Sequence, residues 1–294
     1  MLKASGARIS NRVDLDGVAL LQNLILATLV VLLYYRILLN LVAQWWQDAN
    51  YSYGFLVPVF AGWVIWNRRI CLASTPENPS NWGLVVIAAA LGEVVLGIVG
   101  AENFLSRTSL LLLVAGLIIY FRGWRSFRAV LFPWGVLFLM IPLPAIVFNQ
   151  FALPLQFQAS RFASTLLALV GVPVLREGNV IHLPSLTLDV VEACSGLRSL
   201  TALVTTAVIY GYLFEPRALW RLMLILAAIP IAVVANGFRI MGSGILGEYW
   251  SREMAQGFFH TFSGLLVFLF SLGLLRMFHV AASRIVRRED KRNP

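Results

Sequence analysis

Residues 219–242 read LWRLMLILAAIPIAVVANGFRIMG, an apolar run that carries only Arg221 near its start and Arg239 near its end. It is long enough, at 1.5 Å per residue, to cross the hydrocarbon core of a bilayer. Seven more runs resemble it, at about 18–40, 51–67, 82–101, 104–121, 127–148, 196–214 and 258–280. The second is short and carries Pro58. The first is too long for a signal-peptide core and has no small-residue cleavage site after it, so it reads as a retained anchor. The expected fold class is an all-α polytopic membrane protein with about eight transmembrane helices.

Composition agrees. Of the 294 residues 59% are hydrophobic and 13% charged, with a mean hydropathy of +0.80. A water-soluble domain cannot cover that much apolar surface, and a disordered chain is excluded by the same figures. The net charge of +9 and the pI of about 10.1 would fit nucleic acid in a polar chain. Here they read as basic cytoplasmic loops, and no nucleic-acid partner is expected. Two cysteines exclude a disulfide scaffold.

Position decides what the charge means. With both termini inside, the predicted cytoplasmic segments collect Lys3, Arg8 and Arg12; Arg68 and Arg69; Arg122, Arg125 and Arg128; Arg217 and Arg221; then Arg276, Arg284, Arg287, Arg288, Lys291 and Arg292. These are most of the 23 basic residues, and every inner loop holds some. The chain reads as one integral-membrane domain, 1–294. It has a cytoplasmic segment at 1–17, an extracytoplasmic element at 149–195 and a basic cytoplasmic tail at 281–294.

The element at 149–195 is not a plain span. Gln150, Gln156, Gln158 and Arg161 interrupt helical spacing in 149–170. This suits a helix that lies at the outer interface or re-enters the membrane. The period then switches to alternation on both sides of Glu177–Gly178, a hairpin signal, and Pro184–Ser185 marks a second turn. Open strands cannot lie bare in lipid, so this β element must pack on protein at the outer side.

Three polar side chains fall at one predicted depth. Cys194 precedes the span at 196–214, so it sits near a helix N-terminus, which stabilises a thiolate. Arg198 lies one turn further on. Arg239 is at the outer end of its span, and an arginine among apolar neighbours is a functional candidate. His260 opens the last span. A thiolate attacks a carbonyl, an imidazole moves protons and a guanidinium stabilises an oxyanion, so the three form an acyl-transfer set. Cys71 falls at the opposite face and reads as a small apolar residue beside a loop. His279, 19 positions after His260, lies about 28 Å away along one helix. His182 is on the β element, on the same side as Cys194. Glu93 reads as a helix–helix hydrogen-bond partner. Arg36 reads as a snorkelling side chain. Asp189 and Glu192 could orient Arg239 or His260, or solvate the loop. One outer cysteine and two outer histidines have no metal-ligand spacing, and neither a metal nor a cofactor is expected.

Three blocks carry a resemblance: Glu192–Ala193–Cys194–Ser195–Gly196–Leu197–Arg198, Asn236–Gly237–Phe238–Arg239–Ile240 and His260–Thr261–Phe262–Ser263–Gly264. With Gly171–Asn179 and Tyr51–Pro58, they are similar to segments of the exosortase/archaeosortase family. The likeness runs from about residue 50 to 270. It implies a membrane cysteine protease or transpeptidase with Cys194, Arg239 and His260 as catalytic residues. Arg198, Glu192, Asn236 and Asp189 would be supporting residues. The histidine block points to a bacterial exosortase.

The resemblance implies substrate proteins with a C-terminal sorting signal, namely a Pro-Glu-Pro-type (PEP-CTERM) motif, a membrane helix and a basic tail. It also implies an inner-membrane location, with the active site at the extracytoplasmic face. The acyl acceptor would be water or a lipid- or glycan-linked amine in an exopolysaccharide-producing cell. Tyr53 is a departure, since many relatives have histidine there. The alternative from another class is a transporter or lipid-carrier protein of exopolysaccharide export, with Arg36, Glu93 and Arg239 along a polar path.

Overall fold

The computed structural model describes the backbone of residues 3–190, 196–250 and 258–290, and the side chains of 21, 22, 24–190, 198–250 and 262–284. The chain divides into two units, Met1–Gln47 with Cys71–Leu131, and Asp48–Ile70 with Phe132–Pro294.

The first unit contains α1 (Lys3–Gln47), α4 (Trp82–Val99) and most of α5 (Asn103–Val136). The short α3 (Arg69–Ala73) straddles the boundary. Tyr34, Ala90, Val94 and Leu113 make the core of this unit. At Gly83 a side chain would collide with the Tyr120 backbone, so α4 and α5 approach as closely as only glycine allows. Polar groups between these helices are paired. Thr108 Oγ1 donates to Glu93 Oε1 at 2.6 Å, and Arg107 Nη1 donates to Gln44 Oε1 at 2.7 Å. Glu93 is therefore an interhelical partner, as its sequence context suggests. Arg36 is exposed and donates to the Tyr35 hydroxyl at 2.7 Å.

The runs expected at 104–121 and 127–148 begin two helices that meet at Gly123, whose φ of +85° and ψ of 176° are not helical. A side chain there would overlap the Asn78 carbonyl, so the sequence can turn at this point only with glycine. The second ends in a 3₁₀ turn, Leu137–Met140, before Pro142 and Pro144.

In the second unit a 3₁₀ segment, Ala49–Phe55, leads into α2 (Leu56–Asn67), with the Asp48 side chain accepting the Asn50 N–H at 2.9 Å. Then follow α6 (Ala145–Leu169), strands β1 (Leu175–Glu177), β2 (Val180–His182) and β3 (Thr187–Asp189), and helices α7 (Gly196–Phe214), α8 (Ala218–Tyr249) and α9 (Phe258–Asp290). The short loop Glu215–Arg217 folds α7 and α8 into an antiparallel hairpin. Arg221 Nε donates to the Glu215 carbonyl at 2.6 Å and closes it. Ala207, Ala228 and Ala232 let these helices pack closely, with Leu203, Leu224 and Leu275 filling between them.

The sheet is antiparallel in the order β1-β2-β3. Glu177 pairs with Val180, so the turn residues are Gly178 and Asn179, one position later than the alternation suggests. Gly178 has φ +63°, the left-handed region in which a hairpin's first turn residue is best served by glycine. Ile181, Leu186 and Leu188 project from the sheet onto Ala159, Ala163 and Leu167 of α6 and Ile240 of α8. The β element therefore packs on protein. Helix α6 is amphipathic: Ala152, Gln156, Ala159, Ser160, Ala163 and Leu167 are buried, whereas Gln150, Gln158 and Arg161 are exposed.

Among the described residues, five helical stretches are long and apolar enough to cross a membrane: Leu24–Gln47, Trp82–Val99, Asn103–Met140, Ala218–Tyr249 and Phe262–Arg284. Large apolar side chains stand exposed on them, among them Leu32 and Leu39 on α1, Val99 on α4 and Leu219 and Leu226 on α8. Water does not tolerate such stripes, and lipid does. Helix α2, with 12 residues, is too short to be in that set.

Candidate functional site

Arg239 sits on α8 and is only 5% exposed. Its Nε donates to Ser263 Oγ at 3.4 Å, and Ser263 is not its only partner. The guanidinium lies flat on α9 at Gly264, where a Cβ would stand 3.4 Å from Nη2. His260 is four residues before Gly264 in the first turn of the same helix. Four residues rise about 6 Å along a helix. The His260 side chain lies outside the described residues. The Arg239 head group is thus held on the His260-bearing helix, one turn from His260. A buried guanidinium is costly unless its donors are met, so its enclosure between two helices is a built feature.

The block around Arg239 folds for local reasons. Gly237 lies under the Phe162 ring of α6, with no room for a Cβ. Phe238 meets the same ring edge to face, with centroids 5.5 Å apart. Ile240 is buried with the sheet. Together these contacts fix the rotation of α8.

Cys194 and Glu192 lie outside the described residues. Gly196, two positions after Cys194, is the first residue of α7. Arg198, in the first turn, is exposed. Asp189 ends β3, half-buried and opposite Val180. His182 is engaged within the sheet: its Nδ1 is 3.2 Å from Thr187 Oγ1 and its Nε2 is 3.7 Å from Glu177 Oε2. Both partners are well exposed, so that ion pair adds little stability.

Asn236, one turn before Arg239, is 5% exposed, and its Oδ1 has no hydrogen-bond partner among the described residues. Leaving such an acceptor unmet costs about 1–3 kcal/mol. It lines a small cavity between α6, α7 and α8, together with Gln156 and Leu200. Gln156 Oε1 accepts from Asn179 Nδ2 at 3.3 Å, linking α6 to the hairpin turn.

Thr201, Glu248, Tyr210 and Glu215 had no sequence signal of their own. The Tyr53 and Thr201 hydroxyls share a hydrogen bond, which ties the segment before α2 to α7. Ser185 Oγ donates to Glu248 Oε2 at 2.6 Å and pins the second turn of the β element to the end of α8. At the other end of the hairpin the Tyr210 hydroxyl is 2.8 Å from His279 Nδ1, and His279 Nε2 is 3.2 Å from Glu215 Oε2. His279 is thus part of a separate network, fifteen residues beyond Gly264 on α9. Among the described residues, no three His, Cys, Asp or Glu side chains come together as a metal ion would need.

Long lipid-compatible helices, with a buried cation held between two of them, define a multi-pass membrane protein with a polar site. The family is shown by sequence: the model of the transmembrane exosortases matches residues 45–277, and the chain belongs to that family. It is a family of proteases and transpeptidases that act on sorting-signal substrates. No curated protein and no solved structure matches the chain.

Proposed function

We propose that this protein is a cysteine protease or transpeptidase that cleaves the C-terminal sorting signal of exported proteins through a thioester acyl-enzyme. The substrate's membrane helix enters from the lipid and brings its Pro-Glu-Pro-type motif to the extracytoplasmic face of a bacterial inner membrane. The Cys194 thiolate adds to the scissile carbonyl carbon, and the carbonyl oxygen becomes an oxyanion that Arg239 stabilises. His260 gives a proton to the leaving amine as the C–N bond breaks, which leaves a thioester on Cys194. Water or an amine on a lipid or glycan then attacks the thioester and frees the thiol. Asn236, Asp189, Glu192 and Arg198 would support the three.

The observation that carries this reading is the burial of the Arg239 guanidinium on α9, one turn from His260. Family membership supports the reaction class. The test is processing of a tagged reporter that ends in a Pro-Glu-Pro-type motif and an apolar helix. Cys194→Ala and Cys194→Ser are expected to abolish it with protein levels unchanged. Full processing by both variants would overturn the mechanism.

A further inference from the structure

A second group of cations lies at the other end of α8 from Arg239. Arg221, at the start of that helix, is about 27 Å from Arg239 along the axis. Its stem rests on Gly211 of α7, where a Cβ would stand 3.5 Å from the Arg221 Cγ. The Arg221 guanidinium carbon is 5.4 Å from the centre of the Tyr212 ring, and that of Arg68, at the end of α2, is 5.6 Å from the same ring. Tyr212 is itself fixed, because Phe132 stacks on it at 4.2 Å and Phe60 meets it edge-on. Two helices thus bring two like charges to one aromatic ring.

Neither cation is neutralised by a carboxylate among the described residues. The Arg68 guanidinium meets the Tyr212 ring and has no hydrogen-bond acceptor there. Arg221 uses Nε on the Glu215 carbonyl, and its two Nη groups have no acceptor among the same residues. The Glu215 carboxylate is turned elsewhere: Oε1 accepts the Arg217 N–H at 2.9 Å, and Oε2 is 3.2 Å from His279 Nε2. Cations gathered in this way repel unless an anion lies between them. Their unused N–H groups suit the oxygens of a phosphate.

The surroundings say where such a phosphate comes from. Ile65 and Trp66 on α2, Phe214 at the end of α7, and Leu219 and Leu222 on α8 are large, apolar and exposed. Arg69 lies over Trp66, its guanidinium carbon 4.6 Å from the ring centre. Arginine and tryptophan beside an exposed apolar surface mark the level of lipid head groups. A soluble phosphate leaves those apolar side chains bare, whereas acyl chains cover them.

We propose that Arg68 and Arg221 form a binding site for the phosphate of an anionic phospholipid, whose acyl chains run along the exposed apolar side chains of α2 and α8. The bound head group ties the end of α2 to the start of α8 across Tyr212. Under the proposed orientation, this lipid belongs to the inner leaflet.

The experiment uses the full-length protein, purified in detergent and stripped of lipid. It is titrated with phosphatidylglycerol and, separately, with phosphatidylcholine, and bound lipid is counted by native mass spectrometry. Both lipids carry a phosphate, and only the first has a net negative charge. The first phosphatidylglycerol is expected to bind roughly tenfold or more tighter than the first phosphatidylcholine, and Arg68→Gln or Arg221→Gln to lower that preference about fivefold. Arg36→Gln, which changes an exposed arginine on α1, should leave it as it is. Arg221 also closes the α7–α8 hairpin, so if its variant fails to fold, Arg68→Gln decides the case. Thermal unfolding gives a second reading: phosphatidylglycerol should raise the unfolding temperature of the parent more than that of Arg68→Gln. Equal affinity for the two lipids, or a preference that survives Arg68→Gln, overturns the proposal. So does displacement of the lipid by an equal concentration of glycerol 3-phosphate, which would make the ligand a soluble phosphate. Neither measurement uses reporter processing, so failure of the sorting-signal reading would leave this site standing.

Discussion

At the residue scale the argument turns on Arg239. An arginine near the end of an apolar run has two ordinary explanations, a side chain reaching for the interface or a group held for chemistry. A snorkelling guanidinium stays on the protein surface, and Arg36 is exposed. That of Arg239 is buried against Gly264 and Ser263. If it stabilises an oxyanion, Arg239→Ala is expected to lower reporter processing by about 10²–10³. Arg239→Lys keeps the charge but loses the planar fork, and is expected to recover only a small part of the rate. Protein levels and processing measured together check this. A lysine variant as active as the parent would show that charge alone is needed.

The sequence made Arg239 visible because a charged residue in an apolar run is conspicuous, whereas Asn236 entered only through the resemblance of its block. Gln156 was equally visible but points the other way from its neighbours. Gln150, Gln158 and Arg161 are exposed while Gln156 is buried, a difference that only the helix's rotation settles. Tyr53 stood out only within its block, and Thr201 gave no signal, because a hydroxyl pairing across distant segments leaves no local period.

At the element scale, glycines decide how helices fit. Gly237 lies under Phe162, and the two fix α8 against α6 and with it the direction of Arg239. Gly237→Ala is expected to destabilise the protein by about 1–3 kcal/mol, through overpacking. Combining it with Phe162→Leu should return part of the loss. Thermal unfolding of the two single variants and the double in detergent checks this. Additive losses would mean that the methyl and the ring do not compete for space.

The small sheet was legible from its alternation and turn residues, although the turn itself falls at Gly178–Asn179. The positive φ at Gly178 explains the shift: the glycine must be the first turn residue, not the second. The break at Gly123 falls between the runs expected at 104–121 and 127–148: its non-helical φ and ψ end one helix and start the next, a conformation that favours glycine.

At the scale of the whole molecule, composition points to a membrane protein, and the charge distribution predicts an orientation. That orientation, a proposal, would put Cys194 and His260 on one side and Cys71 and His279 on the other. It is testable in the full-length protein with Cys71→Ser and single new cysteines. An impermeant maleimide applied to intact cells is expected to label Ser185→Cys, on the β element. It should not label Ser74→Cys or Ser283→Cys, which the orientation puts inside. Labelling of Ser283→Cys from outside would invert the topology and remove the site from the extracytoplasmic face.

The central claim is that Cys194 carries the acyl group. Its most direct test is mass spectrometry of the full-length protein incubated with reporter and quenched rapidly in acid. The account predicts a peptide adduct on the fragment containing Cys194, released by hydroxylamine as a thioester is, and absent from Cys194→Ser and from reporter lacking the motif. Reporter cleavage at a normal rate, with no adduct on Cys194 under conditions that trap one when deacylation is slowed, would contradict it.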